Sequence, residues 1–146
     1  EEIVSFKAGQ FVTMDLPIHE KRLKRLRSYS IASAPSNDNI LEFCIVQLEG
    51  GMATNYFFNE VNVGTSILFK PPSGVFILPE PITKDLVFIC TGTGVAPFRS
   101  MLFDIFNHKK PHQKLHLILV RAMKMVFCIA KNLSNFKANL MIFNIP

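Results

Sequence analysis

LVFICTGTGVAPFRSMLFDIF, residues 86–106, has the pattern of a buried strand, a glycine-rich turn and a helix. Its first five residues form an uninterrupted apolar run, which is typical of a parallel strand covered on both faces. Glycines in the turn at 91–94 let a ligand approach the backbone closely, and Pro97 suits the first turn of a helix. Free N–H groups at such a helix start attract anions. The stretch therefore predicts an α/β unit with a cofactor site at the carboxyl edge of its sheet.

The glycine pattern alone is a weak dinucleotide signal. Pro97 stands where the third glycine of G-x-G-x-x-G would fall, and the lysine of a Walker A loop is missing. A tight turn into a helix explains the same residues, so other segments must show whether the turn binds a dinucleotide.

Composition limits the class of protein. The chain has 146 residues, is 49% hydrophobic and has a mean hydropathy of +0.26. This is enough for one domain, or for one small domain and part of another, and it excludes a disordered tail. We expect no membrane insertion, because no apolar stretch reaches spanning length. We expect no signal peptide either, and the start at Glu1 predicts an N-terminus that lies inside a strand.

Positive charge is concentrated in one short segment. The net charge is +5, and five basic residues fall between positions 21 and 27. Such a run is usually a solvated loop, but it is also able to attract phosphate or an acidic protein. Nucleic acid is not expected as a partner, since no aromatic residue interleaves with the run before Tyr29.

The cysteines and histidines predict no metal site. Cys44, Cys90 and Cys128 lie in apolar surroundings, which favours reduced thiols and a cytoplasmic location. Their spacing fits neither zinc nor iron–sulfur ligation. The histidines at 108, 112 and 116 are four residues apart, but Pro111 interrupts any shared helix, so they are expected on the surface.

Taken in order, the chain predicts two kinds of structure. Short strands are expected at 10–14, 27–34, 40–48, 66–70 and 75–78, with a turn at 71–74 and a short helix at 52–59. This pattern indicates an antiparallel barrel or sandwich over residues 1–80. A proline-containing linker follows, and residues 81–119 have the pattern of a βαβ unit.

Four segments in this order resemble the ferredoxin–NADP⁺ reductase family of flavoproteins. They are FKAGQFV (6–12), RSYSIAS (27–33), GGMATNYF (50–57) and TGTGVAPFRSML (91–102). The resemblance implies a fold of the β plus α/β class. Residues 1–80 would form a Greek-key β-barrel that binds FAD and lacks its first strand. Residues 81–119 would begin the NAD(P)-binding domain.

The resemblance also implies roles for the second segment. Arg27 would pair with the flavin phosphate through its guanidinium fork, and Ser28 would belong to the same cofactor site. Tyr29 would stack on the isoalloxazine ring, and Ser30 would lie beside the N5 atom that accepts hydride. Tyr29 and Ser30 are thus the expected catalytic residues. Without the family, the segment would indicate an exposed strand with alternating polar residues.

Three further segments take roles from the family. The strand at Cys44, Ile45 and Val46 would line the flavin ring with its backbone, although its periodicity alone indicates plain core. The loop formed by Gly51, Met52, Ala53 and Thr54 would hold the diphosphate at a helix start, and by itself it is more often an N-capped helix. The turn formed by Thr91, Gly92, Thr93 and Gly94 would hold the nicotinamide cofactor. Phe98 and Arg99 match the family's helix start, and without it Arg99 would be a surface charge.

The tail departs from the family pattern after Leu119. There the family has glycine, a small residue and arginine, then an acidic stretch before leucine and an aromatic residue, whereas this chain has no acidic residue from Lys114 to its end. Reading the possible codons of residues 120–131 one base earlier permits Gly-(Ala/Thr/Ser)-Arg-(Asn/Asp/Tyr)-Glu-Asp-Gly-(Ile/Leu)-Leu-Tyr-Arg. We therefore expect residues 120–146 to be a non-family tail translated out of frame, with weak or irregular tertiary contacts. A divergent or truncated end that still folds is the alternative.

Three functional hypotheses follow. The first is an FAD-dependent oxidoreductase that transfers electrons between NAD(P)H and ferredoxin, flavodoxin or a fused iron–sulfur module. The second is a flavin-binding fragment without NAD(P)H turnover, because half of the nicotinamide domain would be missing. The third is a non-enzymatic fragment that aggregates through exposed apolar edges.

Overall fold

The structure is a computed structural model that describes residues 3–121, 124–129 and 140–144. Eight strands and two α-helices are defined in these residues. The strands are β1 (Phe11–Asp15), β2 (Leu26–Ser30), β3 (Ile40–Cys44), β4 (Leu68–Ser73), β5 (Leu86–Thr91), β6 (Leu115–Arg121), β7 (Lys124–Ile129) and β8 (Leu140–Asn144); the helices are α1 (Met52–Asn59) and α2 (Ala96–Asn107).

The β region, residues 3–80, is built on an antiparallel sheet with the strand order β2-β1-β4. In β1 the side chains of Val12 and Met14 point inward and are buried, while the residues between them face outward, as a period of two requires. Val12 pairs with Tyr29, which fixes the register of β2. A single bridge between Ile31 and Phe43 then connects the end of β2 to β3.

Helix α1 closes the core of the β region. It begins at Met52 and ends at Asn59, where the sequence predicts it. Its inward side contributes Ala53, Tyr56 and Phe57 to a cluster whose other buried members come from the strands and the segments that flank them. These other members are Val12, Met14, Leu16, Ile31, Leu41, Phe43 and Ile45.

The α/β region, residues 81–121, contains the predicted strand–helix–strand unit. Strands β5 and β6 are parallel, and α2 connects them. Met101, Leu102 and Ile105 of α2 are buried against Phe88 of β5 and Leu117 of β6. The predicted β class followed by an α/β unit is thus confirmed.

Within the described residues only one face of β5 is covered, which corrects the prediction of a strand buried on both faces. Phe88 and Cys90 are buried beneath α2, but Val87 is 56% and Ile89 62% exposed. The apolar run specified a strand correctly. It did not specify how many layers the described residues place on that strand.

The strand prediction fails between Pro71 and Leu78. Strand β4 runs through Pro71 and Pro72, where the sequence predicts a turn, and the predicted strand at 75–78 is irregular. The pairing of β4 with β1 shifts register between Phe11 and Thr13. Proline is tolerated at edge strands and bulges because it has no N–H to donate to a ladder.

The expectation of irregular contacts in the tail is wrong for two segments. Strand β7 pairs with β6 in a regular antiparallel ladder, from Arg121–Lys124 to His116–Ile129. Strand β8 pairs antiparallel with all five residues of β3. The rest of the predicted tail, 122–123, 130–139 and 145–146, lies outside the described residues.

Within the described residues, neither helix has the length and apolarity that a membrane span requires.

Candidate functional site

Strand β2 presents the residues of the RSYS segment on two sides. Arg27 pairs with Met14, Tyr29 with Val12 and Ser30 with Phe11, so the ladder is regular to the end of the strand. Because side chains alternate along a strand, Arg27 and Tyr29 share one face and Ser28 and Ser30 the other. Ser30 is the last residue of β2 and is half-buried.

Tyr29 is held by helix α1. Its ring meets the Phe57 ring edge to face, with centroids 5.5 Å apart and an interplanar angle of 81°. Burial raises the pKa of the Tyr29 hydroxyl, and the nearby positive charge of Arg27 offsets this only in part. The residue is thus a neutral, half-buried aromatic platform whose orientation is set by a second aromatic ring.

Arg27 and Ser28 are both oriented by hydrogen bonds. The Arg27 guanidinium donates through Nη1 to the carbonyls of Lys24, at 3.0 Å, and of Leu26, at 2.8 Å. Ser28 Oγ lies 2.9 Å from Thr13 Oγ1 on the neighbouring strand. Both of the Arg27 bonds use one nitrogen of the guanidinium, which ties that group to the backbone of residues 24–26.

The segment Cys44–Val46 leaves β3 and turns outward. Cys44 and Ile45 are buried, whereas Val46 is 59% exposed. Burial raises the pKa of the Cys44 thiol; the positive charge of Arg99 lowers it and the negative charge of Glu42 raises it. The thiol therefore stays protonated and is not an activated nucleophile. Residues 44–46 are therefore better suited to contacting a ligand through their backbone groups than through the Cys44 thiol.

The loop before α1 has free amide groups at a helix start. Gly51 precedes the helix in an extended conformation, and no side chain in the described residues caps this end. The N–H groups of Met52, Ala53 and Thr54 lack intrahelical partners by the geometry of any α-helix. A Cβ on Gly51 would lie 2.7 Å from Thr54 Oγ1, so glycine is required for the tight approach.

The Thr54 hydroxyl is used within this loop. Oγ1 lies 3.1 Å from the Gly51 carbonyl and 3.2 Å from both the N–H and the carbonyl oxygen of Leu48. The hydroxyl therefore closes the loop. The Gly51 N–H also donates within it, to the Leu48 carbonyl at 3.0 Å, which leaves the amides of residues 52–54 for an anion.

The glycine turn after β5 is exposed, as the sequence predicts for a ligand-binding turn. Thr91 to Gly94 are all exposed, and Val95 beyond them is buried and anchors the turn. Gly92 has a φ of +51°, and a Cβ there would meet no described atom within 4 Å. The start of α2, at Ala96, also has no side-chain cap among the described residues.

One core cluster brings the ends of these strands together. Ala32, just beyond β2, and Cys44 at the end of β3 pack in the same buried cluster as Cys90, Val95 and Ala96. The first two belong to the β region and the last three flank the glycine turn. The carboxyl end of β5 and the ends of β2 and β3 therefore contribute to one core, while Tyr29 and Phe57 pack in the core of the β region.

Sequence reasoning missed a charged pair at this junction. Arg99 of α2 donates to the Ala32 carbonyl at 2.6 Å and to the Glu42 carboxylate, and both side chains are less than one-fifth exposed. Without the family, Arg99 is expected to be a surface charge, and Glu42 looks like the polar member of a strand alternation. A single sequence gives no signal for this pairing, because 57 residues separate the two partners.

Three cavities in the described residues lie apart from the strand that carries Tyr29. A cavity of about 370 Å³ is lined by Phe6, Glu80, Asp104 and Lys110, among others. Another, of about 470 Å³, shares Phe6 and Pro35 with it. A third, apolar, cavity of about 370 Å³ lies between residues 76–79, β5 and α2.

The donor set fits a dinucleotide. Two helix starts offer amides without side-chain caps in the described residues: the start of α1 after Gly51, and the start of the 3₁₀ helix Gly92–Val95 after Thr91. The Arg27 guanidinium and the half-buried Tyr29 ring complete the groups that a phosphate and a flat ring system require.

Comparison with protein families yields two adjacent matches. Residues 1–77 match the oxidoreductase FAD-binding domain, and residues 88–141 match the oxidoreductase NAD-binding domain. The second match runs past Leu119. Since the first match alone covers more than half of the chain, it shows the family.

Curated relatives carry reductase and electron-transfer names. The anthranilate 1,2-dioxygenase electron transfer component of Acinetobacter baylyi is 32% identical over 134 residues, which is 91% of this chain and 37% of that protein. A ferredoxin–NADP reductase of Sorangium cellulosum is 36% identical over 97 residues, which is 66% of this chain and 38% of that protein. The chain thus spans little more than a third of the length of these two relatives.

Solved structures show the same fold. The cytochrome P450 reductase of Amycolatopsis is 28% identical, with a TM-score of 0.66 over 83% of this chain and 37% of that one. Phthalate dioxygenase reductase, 18% identical, matches with a TM-score of 0.63 over 83% of this chain and 36% of that one, and shows the fold alone.

The chain belongs to the ferredoxin–NADP⁺ reductase family of FAD- and NAD-binding oxidoreductases. The resemblance drawn from the four sequence segments is confirmed, and so are FAD and NAD(P)H as the family's cofactors. The fold is ferredoxin reductase-like, with a flavin β domain and a partial α/β domain.

Proposed function

We propose that this chain is the flavin- and nicotinamide-binding part of an oxidoreductase that transfers electrons from NAD(P)H to a one-electron carrier. The observation that carries the proposal is the shared core cluster. It joins residues that flank the RSYS strand and the glycine turn after β5, with Ala32 and Cys44 on one side and Cys90 and Val95 on the other. Neighbours of two sequence-distant motifs with complementary cofactor chemistry therefore share one core.

The residues present divide the work of binding. Arg27 would hold a phosphate, Tyr29 would present its ring to the flavin plane, and Ser30 would offer a hydroxyl at the edge of that plane. The loop at residues 51–54 would hold the diphosphate through the amides of residues 52–54. The chemistry that FAD supplies when bound is acceptance of hydride at N5 and release of electrons one at a time. Residues 91–94 would hold the nicotinamide cofactor.

Residues 1–80 would form the FAD-binding Greek-key barrel, residues 81–119 the start of the NAD(P)-binding domain, and residues 120–146 a non-family tail. The NAD-binding match over residues 88–141 counts against the last of these assignments. The bridge between Ile31 and Phe43 supports the barrel, because it joins β3 to the β2-β1-β4 sheet around one core.

The out-of-frame origin of the tail remains a proposal with its own test. Sequencing the coding DNA around codon 119 should show an open frame one base earlier that encodes the glycine–arginine–acidic segment. Stop codons within a few triplets in that frame would contradict the proposal.

A second function, flavin binding without NAD(P)H turnover, is favoured by one observation. Val87 and Ile89 are exposed, so the part of the chain that the structure describes covers one side only of the sheet that would support a nicotinamide cofactor. A flavin site formed by the β region does not depend on that face. This candidate therefore predicts binding of FAD but no reduction by NAD(P)H.

The electron acceptor is proposed from the names of the relatives and from charge. An electron-transfer component of a dioxygenase and a ferredoxin–NADP reductase are among them. The basic segment 21–27 includes Arg22, whose side chain is 78% exposed. An acidic ferredoxin, a flavodoxin or a fused iron–sulfur module would suit it. A cytoplasmic location fits two buried, unpaired cysteines, Cys44 and Cys90.

Flavin titration followed by rapid mixing tests the proposal. The purified chain should take up FAD, and anaerobic addition of NADPH or NADH should bleach the flavin absorbance. Arg27→Ala should weaken FAD binding about 10- to 100-fold, since a hydrogen bond to a charged group is worth roughly 1.5–3 kcal/mol. Arg22→Ala removes the same charge from the same segment and should leave FAD affinity unchanged.

The outcomes separate the candidates. Uptake of FAD with bleaching supports the oxidoreductase, and uptake without bleaching supports the flavin-binding fragment. A chain that stays colourless after addition of FAD contradicts both, and light scattering then shows whether it aggregates.

A further inference from the structure

Arg99 joins the two regions of the molecule at a buried point. It lies in the first turn of α2, and its Nη1 donates to the Ala32 carbonyl at 2.6 Å and to a Glu42 carboxylate oxygen. Its guanidinium carbon is 4.4 Å from the centroid of the Phe103 ring. The Arg99 and Glu42 side chains are 18% and 19% exposed. We call Arg99, Glu42 and the Ala32 carbonyl the Arg99 bridge.

The acceptors of the Arg99 bridge are themselves fixed. The Ala32 N–H donates to the Glu42 carbonyl at 2.8 Å. Ser33 Oγ accepts from the Glu42 N–H at 3.2 Å and donates to the Ile40 carbonyl at 3.3 Å. The backbone just beyond β2 and the strand β3 therefore form one hydrogen-bonded unit, into which a single side chain of the α/β region inserts.

The Arg99 bridge stands close in sequence to both halves of the proposed cofactor site. Ala32 is two residues beyond Ser30, and Arg99 is five residues beyond Gly94. Val95, Ala96 and the start of α2 lie between the turn and Arg99, and all of them are ordered by burial or by helix geometry. A displacement of Arg99 would therefore move the glycine turn relative to the end of β2.

We propose that Arg99 is a positioning residue for hydride transfer. The Arg99 bridge sets the distance and angle between the turn at 91–94 and the strand end at Ser30, without contact between Arg99 and either cofactor. The inference deepens the proposed function and depends on it.

The chemistry of the Arg99 bridge favours positioning over stability. Replacing a largely buried ion pair by apolar side chains is often neutral for stability, so such a pair is weak support for a purely stabilising role. A planar guanidinium that donates to two acceptors and stacks on a ring fixes direction as well as distance. Lysine cannot reproduce the stacking.

Three variants of the full chain test the inference. Arg99→Met keeps most of the side-chain volume and removes the charge. Glu42→Gln keeps the shape and weakens one acceptor. The double variant Arg99→Glu with Glu42→Arg reverses the pair and tests rescue. Lys84→Met, which removes a positive charge from the exposed linker, is the control. Circular dichroism checks that each variant is folded.

The first measurement is hydrogen exchange on the chain without added cofactor. Amides in residues 28–34 and 91–99 should exchange about tenfold faster in Arg99→Met, and less markedly faster in Glu42→Gln. Lys84→Met should match the parent. Unchanged exchange in both bridge variants would overturn the inference, whether or not FAD binds.

The second measurement is single-turnover flavin reduction by NADPH. We expect the reduction rate of Arg99→Met to fall about 10- to 100-fold, since a misplacement of about 1 Å can cost that much. Affinities for FAD and NADPH should stay within about threefold, and the long-wavelength nicotinamide–flavin charge-transfer band should weaken. Partial recovery in the reversed pair would support the inference. Faster exchange with an unchanged reduction rate would overturn the positioning role.

Failure of the proposed function gives a different result. If the parent chain takes up no FAD or is not reduced, the proposed function has failed, and the positioning role fails with it. The exchange data then still decide whether the Arg99 bridge holds the two regions together.

Discussion

Strands β1 and β5 have different sequences and the same pattern of burial. In β1, apolar and polar residues alternate from Val12 to Asp15, and so does burial. In β5, apolar residues are continuous, yet Val87 and Ile89 are exposed while Phe88 and Cys90 are buried. The alternating sequence of β1 is therefore that of a strand covered on one face and open to solvent on the other. The sequence of β5 is suited to a second covering layer on the face that is exposed here.

The difference extends to the two regions. The β region places helix α1 and its own strands around one core. The α/β region places α2 on one face of its sheet and shares its core with Ala8, Ala32 and Cys44 of the β region. The first region is thus more self-contained, and the second depends on the junction between them. The predictions below test that dependence.

The largest expected effect is at Gly9, where the two regions meet. Its φ is +101°, and a Cβ there would lie 2.1 Å from the Phe76 carbonyl oxygen and 2.4 Å from Met101 Cε. Gly9→Ala should destabilise the chain by about 4 kcal/mol, through left-handed strain and overpacking together. Urea unfolding measures this effect.

Gly64→Ala is the control for the Gly9 variant. Gly64 has a φ of +94°, but a Cβ there would have no described atom within 4 Å. Gly64→Ala should lower the free energy of unfolding by about 1 kcal/mol, from backbone strain alone. Equal losses at both positions would show that the junction is looser than described.

The second effect compares the two faces of the β5–β6 sheet. Leu117 is 2% exposed beneath α2, whereas Ile89 is 62% exposed on the opposite face. Leu117→Ala should lower the free energy of unfolding by about 3 kcal/mol, and Ile89→Ala should lower it by less than about 1 kcal/mol. Denaturation midpoints of the two variants measure the difference. A loss at Ile89 as large as that at Leu117 would mean that the face is covered in solution.

The exposed face should also promote association. Replacing Val87 and Ile89 together by threonine keeps the β-branched shape and reduces the apolar surface. Light scattering of the concentrated variant should fall below that of the parent, with little change in unfolding midpoint. Scattering that is unchanged would place the association surface elsewhere.

The smallest effect is electrostatic. Burial alone would lower the pKa of Lys110, but its hydrogen bonds and charge interactions with Asp104 and Glu80, both at 2.7–2.8 Å, outweigh it and raise the pKa. Because the folded state holds this proton more tightly, protonated Lys110 stabilises the folded chain. This contribution to the free energy of unfolding is complete below the free-lysine pKa of about 10.4. It is lost as the pH rises through the higher folded value.

Lys110→Met should therefore lower the free energy of unfolding at pH 8 by about 1 kcal/mol, measured by urea unfolding. The difference from the parent should shrink as the pH is raised above about 10.4. A difference that stays constant across the alkaline range would show that Lys110 contributes by packing and not by charge.

Local patterns predicted the elements that local chemistry determines. Helix α1 was predicted at the bounds observed, and the strand, turn and helix at 86–106 were predicted in order. The course of β4 through Pro71 and Pro72 was not predicted, because an edge position is a property of the sheet and not of the segment.

Long-range partners were beyond sequence reasoning. Arg99 and Glu42 each fit a surface position in their own element, and only the packing of α2 against β3 brings them together. The ladders of β7 with β6 and of β8 with β3 were likewise not predicted, since strand edges accept partners from any part of a chain. Roles for Arg27, Tyr29 and Ser30 came from family resemblance and remain predictions.

The central claim is that the end of β2 and the turn after β5 hold the flavin and the nicotinamide cofactor next to each other. Hydrogen exchange of the full chain with and without saturating FAD, followed by NADPH, tests it most directly. We predict that FAD slows exchange at 27–30 and 51–54, and that NADPH adds protection at 91–94. Protection confined to other segments, with these three unchanged, would contradict the account.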